Sequence, residues 1–325
     1  MSGTSAVVPT AASLLLVLSG LVRCEAQDGH TTERTGWIDD AGLFSAGFGQ
    51  VTFVARDGHH LTARIYRSTG FDPARGPIWF VMHGTTRDVE RYIRAAAPVA
   101  ERYDALAIAI HFSKEAYPRT ADYTLGIERS DRKSGGWRAP EDMLYAEIEH
   151  VFDLVRDSLG GHQTGYYLFG HSAGAQFTHR LLTFLPQPRV LGAVAANAGW
   201  YTMPTNDDPR VHTMPYGLFG GPVQPRSLVG FFQTPFIIML GDQDTTTSAD
   251  DNLVRGTPEG EAQGANRLER GRHYFAVAQA QAAALHARFS WRLEIVSGAA
   301  HDAAQVIQSA GFLTFVPGAE SCTGS

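Results

Sequence analysis

The sequence predicts a doubly wound α/β fold, in which a mostly parallel sheet of eight strands carries helices on both faces. Short apolar runs of strand length alternate with longer segments of helical spacing, which is typical of β-α-β units. Several of the runs are apolar throughout, as expected for strands that are covered on both faces. The 325-residue chain, with 44% hydrophobic residues, is long enough to bury such a core.

The predicted elements follow a regular order along the chain. Residues 49–56 and 61–66 flank a turn-rich spacer and indicate a β-hairpin. The six further strand candidates are residues 77–82, 106–110, 166–169, 190–196, 236–240 and 293–296. Helical spacing is found at residues 89–103, 139–159, 176–182 and 272–288. A hairpin followed by strand–helix alternation predicts one antiparallel edge, with functional loops at the carboxyl ends of the parallel strands.

Two predicted loops are longer than a simple connection requires. Residues 112–138 and 199–233 both exceed the usual loop length, and such loops are commonly lids or substrate walls. The second is rich in Pro, Gly and aromatic residues, which predicts a small cap. We expect Trp137, Trp200 and Tyr201 to line a substrate cleft. The alternative interpretation is that these aromatic side chains pack in the core.

The motif Gly170-His171-Ser172-Ala173-Gly174 directly follows the apolar run 166–169. It is a G-x-S-x-G pattern between a predicted strand and a predicted helix, the context in which such a serine is exposed on a sharp, strained turn. The glycines are needed because the neighbours of the serine must be small. We therefore predict that Ser172 is a nucleophile, and that His171 packs beside it or lines the site.

A nucleophilic serine needs a base, and the base needs an acid to orient it. His301 and Asp244 each lie a few residues beyond a predicted strand, so the chain order Ser172, Asp244, His301 is the one this architecture uses. Asp242 lies in the same turn as Asp244 and is the reserve candidate for the acid. The alternative interpretation of Asp242 is that it forms the turn or caps the N-terminus of a helix.

An oxyanion intermediate requires two backbone N–H donors. We expect one from Ala173, which follows the nucleophile. The other should come from the segment His83-Gly84-Thr85-Thr86 after the third predicted strand, with Thr85 as first choice and Thr86 as second. His83 is expected to order this loop.

The N-terminal residues indicate an export signal. Residues 11–22 are apolar but too short to span a bilayer as a stable helix, and Cys24-Glu25-Ala26 offers a cleavage site after Ala26. We therefore expect an exported protein, periplasmic or secreted, without a stable membrane span after cleavage. A lipid anchor or a cytosolic chain are the alternatives. The predicted segments are a signal peptide (1–26), a linker (27–47), a single catalytic domain (48–316) and a flexible tail (317–325).

Composition excludes several classes of partner. The net charge is −6 and the pI is about 6.1, which gives no support to nucleic-acid binding. The 13 histidines are scattered and match no metal-binding spacing, so we expect neither a metal nor a cofactor. After removal of residues 1–26 only Cys322 remains, which leaves no internal disulfide.

The motifs taken together resemble the α/β-hydrolase superfamily over about residues 48–315. The match consists of the Gly170–Gly174 motif, the His83-Gly84 loop, the Gly241–Asp244 turn and the terminal Gly298-Ala-Ala-His301. Segment 79–84 is similar to the polyhydroxybutyrate-depolymerase and feruloyl-esterase branch. This resemblance implies an α/β-hydrolase fold and a serine hydrolase that cleaves small or polymeric carboxylic esters. A serine peptidase or an acyltransferase with the same three residues is the main alternative, and a non-catalytic binding protein is a third.

Overall fold

A mixed β-sheet forms the centre of the computed structural model, which describes residues 36–126, 136–251 and 254–309. Within those residues the sheet has nine strands. Their bounds, β1 to β9, are Trp37–Asp39, Gly47–Val54, His60–Arg67, Ile78–Met82, Leu106–Ile110, Tyr166–His171, Val190–Ala196, Phe236–Gly241 and Trp291–Val296.

The strand order is β1-β2-β3-β5-β4-β6-β7-β8-β9. The three pairings at the β1 edge are antiparallel, and the remaining five are parallel. This arrangement confirms the predicted fold class, and all eight strand candidates are present. The chain runs from β4 to β5 on one side of β4 and then crosses to β6 on the other side, which makes a switch point at the carboxyl end of β4, where ligands bind in open α/β sheets.

The ninth strand lies where the sequence predicts a linker. β1 covers Trp37–Asp39 and pairs with β2, and its Trp37 indole donates a hydrogen bond of 2.8 Å to the hydroxyl of Ser158. Leu43, a few residues on, is fully buried. The linker expectation was wrong for these residues because a strand of three residues is too short to show an alternating pattern.

Eight α-helices accompany the sheet within the described residues. In chain order, α1 to α8 cover Val89–Arg102, Thr120–Thr124, Ala146–Leu159, Ala173–Phe184, Val229–Gln233, Pro258–Glu261, Arg267–Ala284 and Ala303–Ile307. Short 3₁₀ turns cover Ala41–Phe44, Pro140–Asp142 and Pro225–Leu228. The helix predicted at 139–159 begins only at Ala146, because the residues after Ala139 form the second 3₁₀ turn.

α7 begins five residues earlier than the predicted helix 272–288. The side chain of Asn266 accepts a hydrogen bond from the N–H of Glu269 at 3.0 Å and so caps the helix start. The helix also finishes four residues before the predicted end, at Ala284.

Apolar residues of the sheet alternate between two cores. On β4, Phe80 faces the core formed with α3, α4 and α7, whereas Trp79 and Val81 face the core formed with α1 and α8. Helices therefore cover both faces, as the continuous apolar strands predict.

The two long loops contain short elements of their own. The loop predicted at 112–138 includes α2, and the loop at 199–233 includes the 3₁₀ turn Pro225–Leu228 and α5. In the part of the chain that the structure describes, no helix is long and apolar enough to cross a membrane. The predicted signal peptide 1–26 and tail 317–325 lie outside the described residues.

Candidate active site

Ser172 lies on the turn between β6 and α4, with φ 59° and ψ −117°. This backbone region is unfavourable for a residue with a side chain and is characteristic of an exposed nucleophile on a strand–turn–helix elbow. The two glycines are required by space. A Cβ on Gly170 would collide with the carbonyl oxygen of Gly174, and a Cβ on Gly174 would collide with the carbonyl oxygen of Met82.

The structure brings Ser172, His301 and Asp244 into one chain of hydrogen bonds. His301 Nε2 lies 3.0 Å from Ser172 Oγ, and His301 Nδ1 lies 2.7 Å from Asp244 Oδ2. Because the carboxylate can only accept, Nδ1 carries the hydrogen and Nε2 is free to accept the serine proton. Asp244 is only 1% exposed, so little water competes for its oxygens.

Asp242, the reserve candidate, has a different position. Its Oδ1 accepts the N–H of Gly298 at 2.8 Å and the side-chain amide of Gln243 at 3.1 Å. These hydrogen bonds, that from Gln243 first, hold the pKa of Asp242 below its usual value. Asp242 thus joins the turn after β8 to the loop before His301 and does not contact the imidazole.

Asn197 is a buried residue of this site that the sequence reasoning missed. It lies at the end of β7 with φ 50°, a left-handed conformation that asparagine tolerates better than most residues. Its side-chain oxygen accepts the N–H of Gly241 at 2.9 Å, and its amide donates to the carbonyl of Ala300 at 3.2 Å. Asn197 therefore ties together the two loops that carry Asp244 and His301.

Arg267 is a second missed residue. Its Nη1 lies 3.2 Å from Asp244 Oδ1, and both side chains are buried. The carboxylate thus receives hydrogen bonds from the arginine and the imidazole. No local spacing in the sequence links Arg267 to this site, since it is the first residue of α7, 23 positions from Asp244.

The predicted oxyanion loop runs beside the nucleophile. A Cβ on Gly84 would lie 3.7 Å from the Cβ of Ser172. Ala173 is the first residue of α4, where a helix N–H has no intrahelical acceptor. The hydroxyl of Tyr92 packs against Gly84, and Thr85, the next residue of the loop, stays the predicted source of the second N–H.

His83 has the ordering position that the sequence suggested. Its Nδ1 lies 3.1 Å from the carbonyl oxygen of Gly84, and its own carbonyl accepts the hydroxyl of Tyr123 at 2.9 Å. Burial, reinforced by the charge of Arg87, lowers the pKa of His83 to about 3. The imidazole is therefore neutral and braces the loop.

His171 is buried beneath His301 and does not line an open cleft. It is 3% exposed, and its ring centroid lies 4.5 Å from that of His301. Of the two interpretations in the sequence, packing beside the nucleophile is the one the structure supports.

The three aromatic residues expected around the substrate are dispersed. Tyr201 is fully buried, with its ring stacked 4.3 Å from that of Tyr274, so it belongs to the core. Trp200 is 7% exposed, beneath the guanidinium of Arg180. Trp137 lines a cleft of about 700 Å³ whose lining does not include Ser172. Aromatic residues in a loop serve packing as readily as binding, and composition could not separate the two.

The described residues contain no group of three or more His, Cys, Asp or Glu side chains arranged to hold a metal ion.

Comparison with solved structures finds similar proteins, among them two that are 32% identical to this chain. Poly(3-hydroxybutyrate) depolymerase LpqC from Bordetella parapertussis is 32% identical, with a TM-score of 0.76 over 84% of this chain and 92% of that one. Poly(aspartic acid) hydrolase-1 from Sphingomonas sp. KT-1 is also 32% identical, with a TM-score of 0.75 over 83% of this chain and 98% of that one. An S-formylglutathione hydrolase from Agrobacterium tumefaciens, 13% identical with a TM-score of 0.51 over 84% and 95% of the two chains, shares the fold.

No family model matches the chain, and no curated protein does. The solved structures are nevertheless sufficient to assign it, because they combine identity above 30% with nearly full coverage. The chain belongs to the α/β-hydrolase superfamily. Within that superfamily it lies in the esterase branch similar to polyhydroxybutyrate depolymerase, and it is a carboxylic-ester hydrolase.

Proposed function

We propose that the chain is an exported serine hydrolase that cleaves carboxylic esters through an acyl-enzyme on Ser172. The observation that carries the proposal is the continuous hydrogen-bond chain from Ser172 Oγ through His301 to Asp244, with contacts of 3.0 and 2.7 Å. A serine hydroxyl becomes a competent nucleophile when a base is placed at this distance and is itself oriented by a carboxylate.

The reaction has two halves. Ser172 Oγ attacks the ester carbonyl carbon while its proton passes to His301 Nε2, and the N–H groups of Ala173 and Thr85 stabilise the negatively charged oxygen. The intermediate collapses, His301 protonates the leaving alcohol, and the acyl group remains on Ser172. Water then attacks the acyl carbonyl carbon while its proton passes to His301 Nε2. The second intermediate collapses, the bond to Ser172 Oγ breaks, His301 returns the proton to that oxygen, and the carboxylic acid leaves. Asp244 stays ionised and stabilises the imidazolium that forms in each half.

The similarity to LpqC supports a polymeric ester as the physiological substrate. That protein is described as a poly(3-hydroxybutyrate) depolymerase and matches over most of both chains. Small esters with activated leaving groups should also be cleaved, because the chemistry at Ser172 does not depend on chain length.

The similarity to poly(aspartic acid) hydrolase-1 supports amide cleavage as a second candidate activity. The same serine, histidine and aspartate would perform it, with an amine as the leaving group. An ester and an anilide of the same acyl group, together with polyester film and poly(aspartic acid), distinguish the two candidates. We expect the ester and the polyester to be the better substrates.

Replacement of the nucleophile tests the proposal directly. We expect Ser172→Ala to abolish turnover of p-nitrophenyl esters while the protein stays folded, because the elbow accepts a smaller side chain. A fluorophosphonate probe should label the wild type and fail to label the variant. Turnover at the wild-type rate in Ser172→Ala would exclude the mechanism.

Export is supported by the apolar segment 11–22 and the small residues before position 27. We expect cleavage after Ala26, so that the mature chain carries the catalytic domain proposed at 48–316. N-terminal sequencing of protein from the envelope or medium of an expressing bacterium should begin at Gln27. A cytosolic protein that retains residues 1–26 would contradict export and leave the proposed chemistry untouched.

A further inference from the structure

We propose that Tyr92 and His171 are a positioning pair, which links the oxyanion loop to the nucleophile elbow and keeps an uncharged imidazole beneath His301. This inference rests on the proposed function of Ser172 and His301. Neither member of the pair reaches the reacting atoms, so both act through the residues they hold.

One hydroxyl group connects three elements of the fold. Tyr92 lies in the first turn of α1 and is 5% exposed. Its Oη lies 2.9 Å from Nδ1 of His171, the last residue of β6, and it packs against Gly84, where an added Cβ would come within 2.6 Å of it. The loop that carries Thr85 and the turn that carries Ser172 are thus joined through a single buried oxygen atom.

The hydrogen-bond inventory determines the protonation of His171. A tyrosine hydroxyl has one hydrogen to donate, and the backbone N–H of Gly84 is directed toward the hydroxyl oxygen of Tyr92. Its hydrogen is therefore directed at His171 Nδ1, which accepts it, and the proton of the neutral imidazole is on Nε2. His171 Nε2 is buried and has no hydrogen-bond partner among the described residues.

An uncharged His171 matters because His301 becomes positively charged during the reaction. The two ring centroids are 4.5 Å apart, a distance at which like charges in a buried site repel strongly. Burial first, and then the charges of His301, Arg267 and Arg91, holds the pKa of His171 well below its usual value. The hydrogen bond from Tyr92 occupies the one nitrogen that could take a second proton.

The charged groups around the pair are themselves held in ion pairs. On α1, Arg91 lies 2.7 Å from Asp302, the residue after His301. On α7, Arg267 is paired with Asp244 at the end of β8. A positively charged His171 would therefore lie near two arginines. The carboxylates of Asp302 and Asp244 are already paired with those arginines, so neither is available to pair with His171.

Replacement of Tyr92 by Phe removes the hydroxyl and retains the ring. We expect kcat to fall roughly tenfold with little change in KM, because a buried ring nitrogen loses its hydrogen-bond partner. We also expect the acid limb of the kcat/KM profile to move to higher pH, because His171 Nδ1 becomes free to take a proton. A purely structural role would lower kcat equally at every pH.

Tyr167→Phe is the matched control. Tyr167 packs in the same core as Tyr92, and its hydroxyl makes no hydrogen bond within the described residues. We expect its kcat and its pH profile to match those of the wild type. An unchanged pH profile in Tyr92→Phe would overturn the inference, and so would an equal shift in Tyr167→Phe.

The wild-type enzyme offers a test that does not depend on a variant's folding. In a sample labelled with ¹⁵N-histidine, His171 should appear as the neutral tautomer protonated on Nε2 and should not titrate between pH 5 and pH 8. Titration near the value of an exposed histidine, or a proton on Nδ1, would overturn the inference. Activity retained by Ser172→Ala would instead overturn the proposed function, so the two failures are distinguishable.

Discussion

Asp244 receives two hydrogen bonds, one from His301 and one from Arg267, in a position that is 1% exposed. The neighbouring Asp242 accepts the N–H of Gly298 and the side-chain amide of Gln243. At the scale of single residues, two aspartates separated by one residue therefore have separate tasks. One orients the imidazole, and the other holds the loops that carry the site.

The separation predicts unequal effects of the same substitution. Asp244→Asn should reduce kcat by about 10⁴, the cost of losing the orienting acid in a comparable triad, because an amide can stabilise the wrong tautomer of His301. Asp242→Asn keeps an oxygen that can accept the Gly298 N–H and should retain most of the activity. The turnover of p-nitrophenyl esters by the two variants measures both effects on kcat. An inactive Asp242→Asn beside a nearly normal Asp244→Asn would reverse our assignment of the acid.

The elbow is the element on which the geometry of the site depends. α4 begins at Ala173, two residues after the end of β6. Gly174, in its first turn, lies against the carbonyl oxygens of Met82 and His83. The absence of a side chain at this position lets α4 approach β4 and the oxyanion loop together. The close approach places Ala173 beside the loop that carries Thr85.

A methyl group at position 174 should therefore be costly. It would meet backbone atoms, which cannot rotate away, so α4 or the oxyanion loop must shift. We expect Gly174→Ala to lower the free energy of unfolding by roughly 1–3 kcal/mol, a typical cost of overpacking, and to reduce turnover. Denaturant unfolding and ester hydrolysis measure the two effects.

Gly230→Ala is the control for that substitution. Gly230 lies in α5, where an added Cβ would meet nothing within 4 Å, and its φ is not positive. We expect unchanged activity and unchanged or slightly higher stability, because alanine favours the helix. A Gly174→Ala protein as stable and active as Gly230→Ala would contradict the packing argument.

At the scale of the whole molecule, buried ionisable groups govern the response to pH. Burial lowers the pKa of His83, His171 and His179, and the last is held neutral between the carbonyl of Ala175 and the N–H of Thr202. Burial also raises the pKa of Glu147 to about 7. The histidines and the carboxyl act on stability in opposite directions.

We expect the protein to lose stability as the pH falls below about 6.5. The unfolded chain then binds protons that the three folded histidines cannot, so each contributes up to roughly 1.4 kcal/mol per pH unit. The stability from Glu147 is fully present below about 4.5 and is lost as the pH rises to about 7, but one carboxyl opposes three imidazoles. Denaturant unfolding at pH 5, 6, 7 and 8 measures the sum.

Glu147→Gln isolates the opposing contribution. The variant lacks the carboxyl that gains a proton on acidification, so its free energy of unfolding should fall more steeply than that of the wild type between pH 7 and pH 5. Parallel curves for the two proteins would show that Glu147 titrates at its ordinary value. A wild-type stability that rises toward pH 5 would contradict the assignment of neutral buried histidines.

The sequence by itself determined the features that local pattern encodes. Apolar runs identified six strands and a turn-rich spacer identified the hairpin, while the glycines around Ser172 identified the elbow, because strand burial and turn geometry restrict residue type within a few positions. The chain order that placed His301 after the last strand follows from the topology of the sheet. The strand β1 was missed because its three residues are too few to show an alternating or a continuous apolar pattern.

Only the tertiary structure decided how distant residues meet. The contact of His301 with Asp244, the burial of Tyr201 and the contact between Tyr92 and His171 all depend on the approach of separate elements. The last two residues are 79 positions apart in the chain. Spacing reports the neighbours of a residue along its own strand or helix, whereas the packing of α1, β6 and the loops against one another sets which side chains share a hydrogen bond.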